Sequence, residues 1–307
     1  MQDIIIYDWL SFTSKRSDPY YIADLLGLSH LPWQTTKGAH GYQNRLYFNC
    51  ISIHFNGRDD MGTWCEMSGQ GCRAFESLST LTGDKWADLF ALIAGNHLNI
   101  TRLDVAYDDH DGTLDIDQIV KDTWDQNFVS RTSDWGINLT SKGTTVTFGS
   151  PKSEILIRIY DKARERNCSA GEHWIRCELQ LRRDRALSFV DLNLPIGQAF
   201  CGVVMNYLRF VEEVEGDSNK WRWPLKTYWA NLLENANKIS IYHAPGLEYN
   251  LDRCEKYVIN QAGNAIDAYI QCVGMDGFVN ALNNRKTRPS PKYDRMVSEF
   301  RELCAST

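Results

Sequence analysis

The sequence predicts an α+β fold, with a central antiparallel sheet and flanking helices in the first two-thirds of the chain and a helical C-terminal region beyond. From the start to about Arg185, short alternating or apolar runs of strand length are separated by Gly, Asn and Asp. After Arg185 the runs lengthen and take helical spacing. Between the two characters lies the polar stretch Glu215-Gly216-Asp217-Ser218-Asn219-Lys220, which sets a domain of residues 1–214 and a helical region of 215–307.

Taken in order, residues 4–10 are rich in β-branched and aromatic side chains and read as a strand. Residues 45–55 and 63–68 read as a hairpin pair joined by a loop containing Asn56-Gly57. Residues 69–73 read as a turn feeding Ala74-Phe75-Glu76. A helix follows over 85–94, where Trp86, Leu89, Phe90 and Ile93 recur at helical spacing. Residues 99–108 form a strand, and Asp115 to Gln118 opens a helix to about Trp124 with capping-box character. Three more strands are expected at 144–148, 155–160 and 174–181, then helices over 199–213, 225–233, 251–273 and 294–304. No internal repeat appears, which excludes a solenoid.

Composition narrows the function classes. The chain has 307 residues with 33 Lys+Arg against 39 Asp+Glu, a net charge of −6 that argues against coating nucleic acid by bulk charge. Ten Trp, fourteen Tyr and 43% hydrophobic residues exclude wholesale disorder. Nine scattered cysteines without a C-x-x-C indicate reduced thiols rather than a disulfide framework or a zinc ribbon. The apolar start is interrupted at Asp8, too soon for a secretory signal, and the run 199–211 carries Asn206 and Arg209, so no membrane partner is expected. The expected location is the cytoplasm of a bacterial host cell.

Three strands share one peculiarity when read with period two. One face of the first carries Arg102, Asp104 and Asp108; of the second, Arg158, Tyr160 and Lys162; of the third, Arg176, Glu178, Gln180 and Arg182. A single such strand is most simply a solvated face. Three alike imply a bound ion or polyanion, because like charges on one surface otherwise repel. A phenol with a pKa near 10 needs help to act as a nucleophile. Carboxylates hold a hard cation such as Mg²⁺ or Mn²⁺, and arginines bind phosphate bidentately. Together these groups suit transesterification of a DNA phosphodiester by Tyr160.

The sequence resembles the family of replication initiation factors that nick DNA for rolling-circle replication in plasmids and filamentous phages, which includes relaxases of conjugative elements. The resemblance rests on Tyr7-Asp8-Trp9-Leu10-Ser11-Phe12-Thr13; Glu66-Met67-Ser68-Gly69-Gln70-Gly71-Cys72-Arg73; residues 101–108; Phe148-Gly149-Ser150 with Ser153; Arg158-Ile159-Tyr160-Asp161-Lys162 with Glu165; and residues 174–179. It implies that Tyr160 is the nicking tyrosine forming a 5′-phosphotyrosine, that Asp104 and Glu178 are metal ligands with Glu66 a third, and that the domain is a degenerate relative of the His-hydrophobic-His nickases. No His-x-His pair is present, so an oxygen-rich Mg²⁺ or Mn²⁺ site replaces a two-histidine one. Arg158, Lys162 and Arg176 are expected to position the scissile phosphate and to lower the phenol's pKa. Arg102, Arg182, Arg73 and Lys152 are further expected DNA contacts, Lys152 taking the place of a basic residue where Pro151 stands.

The expected partners are origin DNA, single-stranded or extruded as a hairpin, a second copy of the chain as a homodimer, and a host helicase, because no G-x-x-x-x-G-K-[ST] motif is present to power unwinding. Asp109-His110-Asp111-Gly112 is better a hydrated turn than a calcium loop, since the flanking ligand positions are Tyr107 and Gln118. His173 lies close enough in sequence to approach the site. Trp221, Trp223 and Trp229 read as core anchors rather than base-stacking platforms. Residues 141–188 hold ten basic against six acidic side chains, while 100–139 hold nine aspartates against three basic residues, so DNA is expected to dock on the tyrosine segment. The alternatives are a non-catalytic DNA-binding regulator on the same fold, a tyrosine recombinase or topoisomerase with the opposite 3′ linkage, and, more distantly, a hydrolase, which would need a nucleophile elbow absent here.

Overall fold

The computed structural model describes residues 4–141, 143–168, 171–234 and 263–285, together with Val258 and Val297. The chain divides into two compact units, Met1–Ile241 and Tyr242–Thr307. The first contains β1 (Ile4–Ser14), α1 (Pro19–Leu25), β2 (Gln34–Lys37), β3 (Asn44–Phe48), β4 (Ile51–Phe55), β5 (Thr63–Met67), α2 (Gly69–Leu78), α3 (Lys85–Gly95), β6 (Asn99–Asp109) and α4 (Ile116–Trp124). It continues with β7 (Phe128–Ser130), β8 (Trp135–Thr140), β9 (Gly143–Phe148), β10 (Ile155–Asp161), α5 (Lys162–Glu165), β11 (Ile175–Arg182), α6 (Asp184–Asp191), α7 (Ile196–Tyr207), β12 (Leu208–Phe210) and α8 (Thr227–Leu232). In the second unit, α9 (Gly263–Asn283) is kinked at Gly274.

Ten strands form one antiparallel sheet in the order β2-β3-β4-β5-β1-β6-β11-β10-β9-β8, and β7 pairs with β12 separately. The period-two alternation of the central strands explains its two faces. Leu10, Phe12, Leu103, Val105, Leu179 and Ile157 are buried in the core, where α2, α6 and α7 pack against the central strands. Trp9, Ser11, Asp104, Glu178, Arg158 and Tyr160 occupy the alternate positions and so the other face. Helix starts follow the expected chemistry: Asp84 caps α3 and Asp115 caps α4, each carboxylate accepting two backbone N–H bonds.

Residues 45–55 are two strands rather than one, because Asn49 and Cys50 both take positive φ and turn the chain between β3 and β4. The expected turn at 69–73 is the first part of α2. Two glycines make that helix possible: a Cβ on Gly69 would stand 2.5 Å from Asp8 Oδ1, and one on Gly71 2.4 Å from the Cys50 carbonyl oxygen. The expected helix 199–213 ends at Tyr207, and Leu208–Phe210 peels off to pair with β7. Past residue 214 the chain remains on the same core, with Trp229 fully buried and Trp223 nearly so. Trp221 is 41% exposed, with the guanidinium groups of Arg131 and Arg209 against its ring. Part of the expected helix 251–273 and nearly all of 294–304 lie outside the described residues.

Candidate active site

Pairing in the order β6, β11, β10 sets Glu178 opposite both Ala106 and Arg158, and Arg176 opposite both Asp108 and Tyr160. Side chains facing each other across such strands stand about 5 Å apart, so the peculiar faces of the three strands merge into one surface. Tyr160 Oη donates to Glu178 Oε2 at 3.0 Å, and Lys162 Nζ donates to the same phenol oxygen at 3.5 Å. Arg158 Nη2 pairs with Glu178 Oε1 and lies 3.8 Å from Asp104 Oδ2, bridging the two carboxylates. Arg102 grips Asp104 through Nε to Oδ1 at 2.8 Å and Nη2 to Oδ2 at 2.5 Å, with its guanidinium 4.4 Å from the centre of the Trp9 ring.

Asp104 and Glu178 are almost completely buried, at 1% and 4% exposure. Burial and the Glu178 charge push the Asp104 carboxyl up despite its bond to Arg102. Burial acts the same way on Glu178, but the Arg158 charge and the hydrogen bonds it receives outweigh it, leaving that carboxyl below its ordinary value. The phenol of Tyr160 is raised well above 10, first by burial and then by Glu178. Arg176 acts in the expected lowering direction, but burial and the Glu178 charge outweigh it. Arg158 is spent on the carboxylates and Lys162 bonds Glu165 at 2.8 Å.

Arg176 is the most buried of the expected phosphate contacts. It is 3% exposed, and three of its five N–H donors are engaged: Nε and Nη2 bind Asp108 at 2.6 and 2.7 Å, and Nη1 binds Asp8 at 2.7 Å. Trp174 Nε1 adds a 2.7 Å bond to Asp108. A guanidinium so buried, with its charge already balanced by two acids, presents no open face to a phosphate. Asp8 could not be read from alternation, because it sits in a β-bulge between Tyr7 and Trp9 that turns it toward this face.

Glu66 stands apart from the other two expected metal ligands. It lies on β5, and β1 intervenes before β6, which places it about 10 Å across the sheet from the Asp104 strand. Its partner is His54 Nε2 at 3.4 Å. Among the described residues no three His, Cys, Asp or Glu side chains converge on one point. Arg73 lies on α2, bound to the Tyr7 carbonyl at 2.8 Å and to Glu76, with no bond to the tyrosine cluster. Lys152 is exposed in the β9–β10 connection, and Arg182 stands directly opposite Arg102. His173 bonds Asp109 at 2.8 Å rather than the cluster, and Asp109 also ties the turn before α4 by accepting from the backbone N–H groups of Asp111, Thr113 and Leu114.

The surface therefore combines a phenol hydrogen-bonded to a carboxylate, a second buried carboxylate beside it, and arginines at their rim. Residues 98–278 match the family described as replication initiation factor, and residues 4–92 match the rolling-circle replication initiation protein N-terminal domain. A putative DNA relaxase NicK of Bacillus subtilis (strain 168) is 29% identical over 267 residues, 80% of this chain and 75% of that protein. The rolling-circle replication initiator protein from Geobacillus stearothermophilus has a solved structure that superposes with a TM-score of 0.69 at 32% identity, covering 78% of this chain and 99% of that one.

Proposed function

The chain belongs to the replication initiation factor family and is a DNA-nicking enzyme of the rolling-circle type, and from that membership we propose that Tyr160 is the nucleophile. The observation that carries this is the 3.0 Å bond from Tyr160 Oη to Glu178 Oε2, on the surface shared with Asp104 and Arg158. Tyr160 Oη attacks the scissile phosphorus, the P–O3′ bond breaks, the 3′-hydroxyl leaves with a proton, and a 5′-phosphotyrosine remains. Glu178 orients the phenol and stands where its proton departs. Because no new high-energy bond is consumed, the reverse attack by a 3′-hydroxyl rejoins the strand.

Asp104 and Glu178 fit a hard divalent cation, Mg²⁺ or Mn²⁺. They are two buried oxygen donors brought to one place on the sheet, both within reach of the Arg158 guanidinium. Such an ion, when bound, polarises a phosphoryl oxygen and favours the ionised phenol. Arg158 and Arg102, which hold those carboxylates in its absence, lie at the rim where a phosphate would enter. Arg182 and Lys152 extend the DNA path. Origin DNA, a host helicase and self-association into a homodimer complete the proposed partners. The similarity to a relaxase supports conjugative-element nicking as a second setting for the same chemistry.

The test is covalent attachment to a single-stranded origin oligonucleotide with Mg²⁺. Wild type should form a 5′-linked adduct and Tyr160→Phe none. An equal yield from Tyr160→Phe, or a 3′ linkage, rejects the assignment. Asp104→Ala and Glu178→Ala should lose nicking while retaining most DNA binding.

A further inference from the structure

We propose that a cavity beside the tyrosine cluster seats one unstacked nucleotide of the strand being cut, and that Glu66 faces the amino edge of its base. This inference deepens the nicking assignment and rests on it. The cavity encloses about 570 Å³ on the polar face of the sheet, within the size range of small-ligand sites. Arg102 and Trp9 line it, and Arg102 is also the partner of Asp104, so it opens directly off the catalytic surface.

Its walls suit a base and a phosphate at once. Trp64 is held by stacking on the fully buried His54, with ring centres 4.9 Å apart and planes 24° apart, and His40 meets it edge-on at 4.9 Å. A rigid indole is a stacking platform that sacrifices little side-chain freedom when a base lands on it. On the opposite side, Arg182 faces Arg102 in register and makes no ion pair among the described residues. Burial and the neighbouring Arg102 lower its pKa, as expected of a guanidinium crowded by positive charge. Its Nε and the Trp9 Nε1 are both buried without a hydrogen-bond partner. A nucleotide phosphate supplies the negative charge this side lacks.

Specificity follows from a tautomer. The Ala39 backbone N–H donates to His54 Nδ1 at 3.3 Å, so in the neutral ring the proton sits on Nε2, which donates to Glu66 Oε1 at 3.4 Å. His54 thus occupies one Glu66 oxygen and leaves the other as an acceptor on the cavity wall. An acceptor there favours a base with an amino group, adenine, cytosine or guanine, over thymine, whose single N3–H donor is flanked by two carbonyl oxygens that repel a carboxylate.

A randomised single-stranded DNA hairpin library tests this, with bound and covalently attached molecules recovered and sequenced separately. In the bound pool of wild type, one position should disfavour thymine by about tenfold. Glu66→Gln should erase that preference while leaving the rest of the selected pattern. Trp64→Ala should weaken overall binding by about tenfold, and Trp64→Phe should restore most of it. Should Trp64→Ala fail to fold by thermal denaturation, the Glu66→Gln comparison decides alone. Identical bound-pool preferences in wild type and Glu66→Gln overturn the proposal. So does a Glu66→Gln variant whose only defect is a higher Mg²⁺ requirement, which would make Glu66 a metal ligand. The covalent pool reports nicking separately: an empty covalent pool with a selective bound pool rejects the nicking assignment and leaves the nucleotide seat standing.

Discussion

Arg176 permits a direct separation of a structural from a DNA-binding role. Its side chain is buried and bonds two carboxylates, Asp108 bidentately and Asp8 once. Arg176→Met keeps comparable bulk and leaves both acids in low dielectric without a counter-charge. Breaking a buried pair from one side costs about 3–5 kcal/mol. For a unit of this size each kcal/mol lowers Tm by about 2–4 °C, so a fall of roughly 6–20 °C is expected by calorimetry. Arg176→Lys keeps the charge but not the fork and should recover only about 1–2 kcal/mol. Adding Asp108→Asn to Arg176→Met should restore about 2 kcal/mol, because one stranded charge is then gone. DNA affinity, measured by anisotropy well below the lowered Tm, should change less than threefold or so, since a buried guanidinium contributes no released counterion. An Arg176→Met protein with an unchanged Tm and a collapsed affinity would refute this reasoning and return Arg176 to the phosphate contacts.

Trp229→Ala should destabilise the first unit by about 3–5 kcal/mol, since its ring is fully buried in the main core, and a chain ending at residue 214 should melt lower still; denaturant midpoints check both. Gly71→Ala should cost roughly 1–3 kcal/mol despite alanine's better helix propensity, because the new Cβ meets the Cys50 carbonyl at 2.4 Å, and a stabilised variant would contradict that contact. In metal-free protein, carboxyl NMR should find Asp104 titrating above its ordinary 3.8, and Arg102→Met should move it higher by removing the bond that opposes the shift. The linked stability has a defined sign. A raised folded pKa means the fold holds the proton more tightly than the unfolded chain does, so Asp104's contribution is complete below its unfolded pKa and declines as pH rises through the folded value.

The legible part of this protein is what period two encodes. Asp104, Arg158, Tyr160 and Glu178 could be assigned to polar faces from their own strands, and the structure sets those faces side by side. Likewise the spacing of Trp86, Leu89, Phe90 and Ile93 gave α3 nearly to the residue. What alternation cannot encode is lateral order. Glu66 is expected as a third metal ligand only from the motif around it, and a motif carries no lateral order: β1 lies between its strand β5 and the Asp104 strand β6. Asp8 was hidden for a related reason: a bulge shifts the phase, so a residue counted onto one face appears on the other.

The charge pattern shows how lateral order alters function as well as fold. In the sequence an aspartate-rich block precedes a basic one, which suggests separate acidic and basic surfaces. Placing β11 between β6 and β10 interleaves them, so Arg176 neutralises Asp108 while Arg158 reaches from β10 to Glu178 on β11 and Asp104 on β6. Much of the apparent basic island is thereby consumed inside the sheet. A cation left without an acid among the described pairs on this face is Arg182, at the end of β11 next to Arg102. An acidic protein can therefore take up DNA not through broad attraction but at a rim where strand register leaves positive charge unpaired. That rim adjoins the proposed nucleotide seat and reaches the tyrosine cluster through Arg102 and Asp104, so phosphate binding there would direct the strand along the polar face that also carries Tyr160.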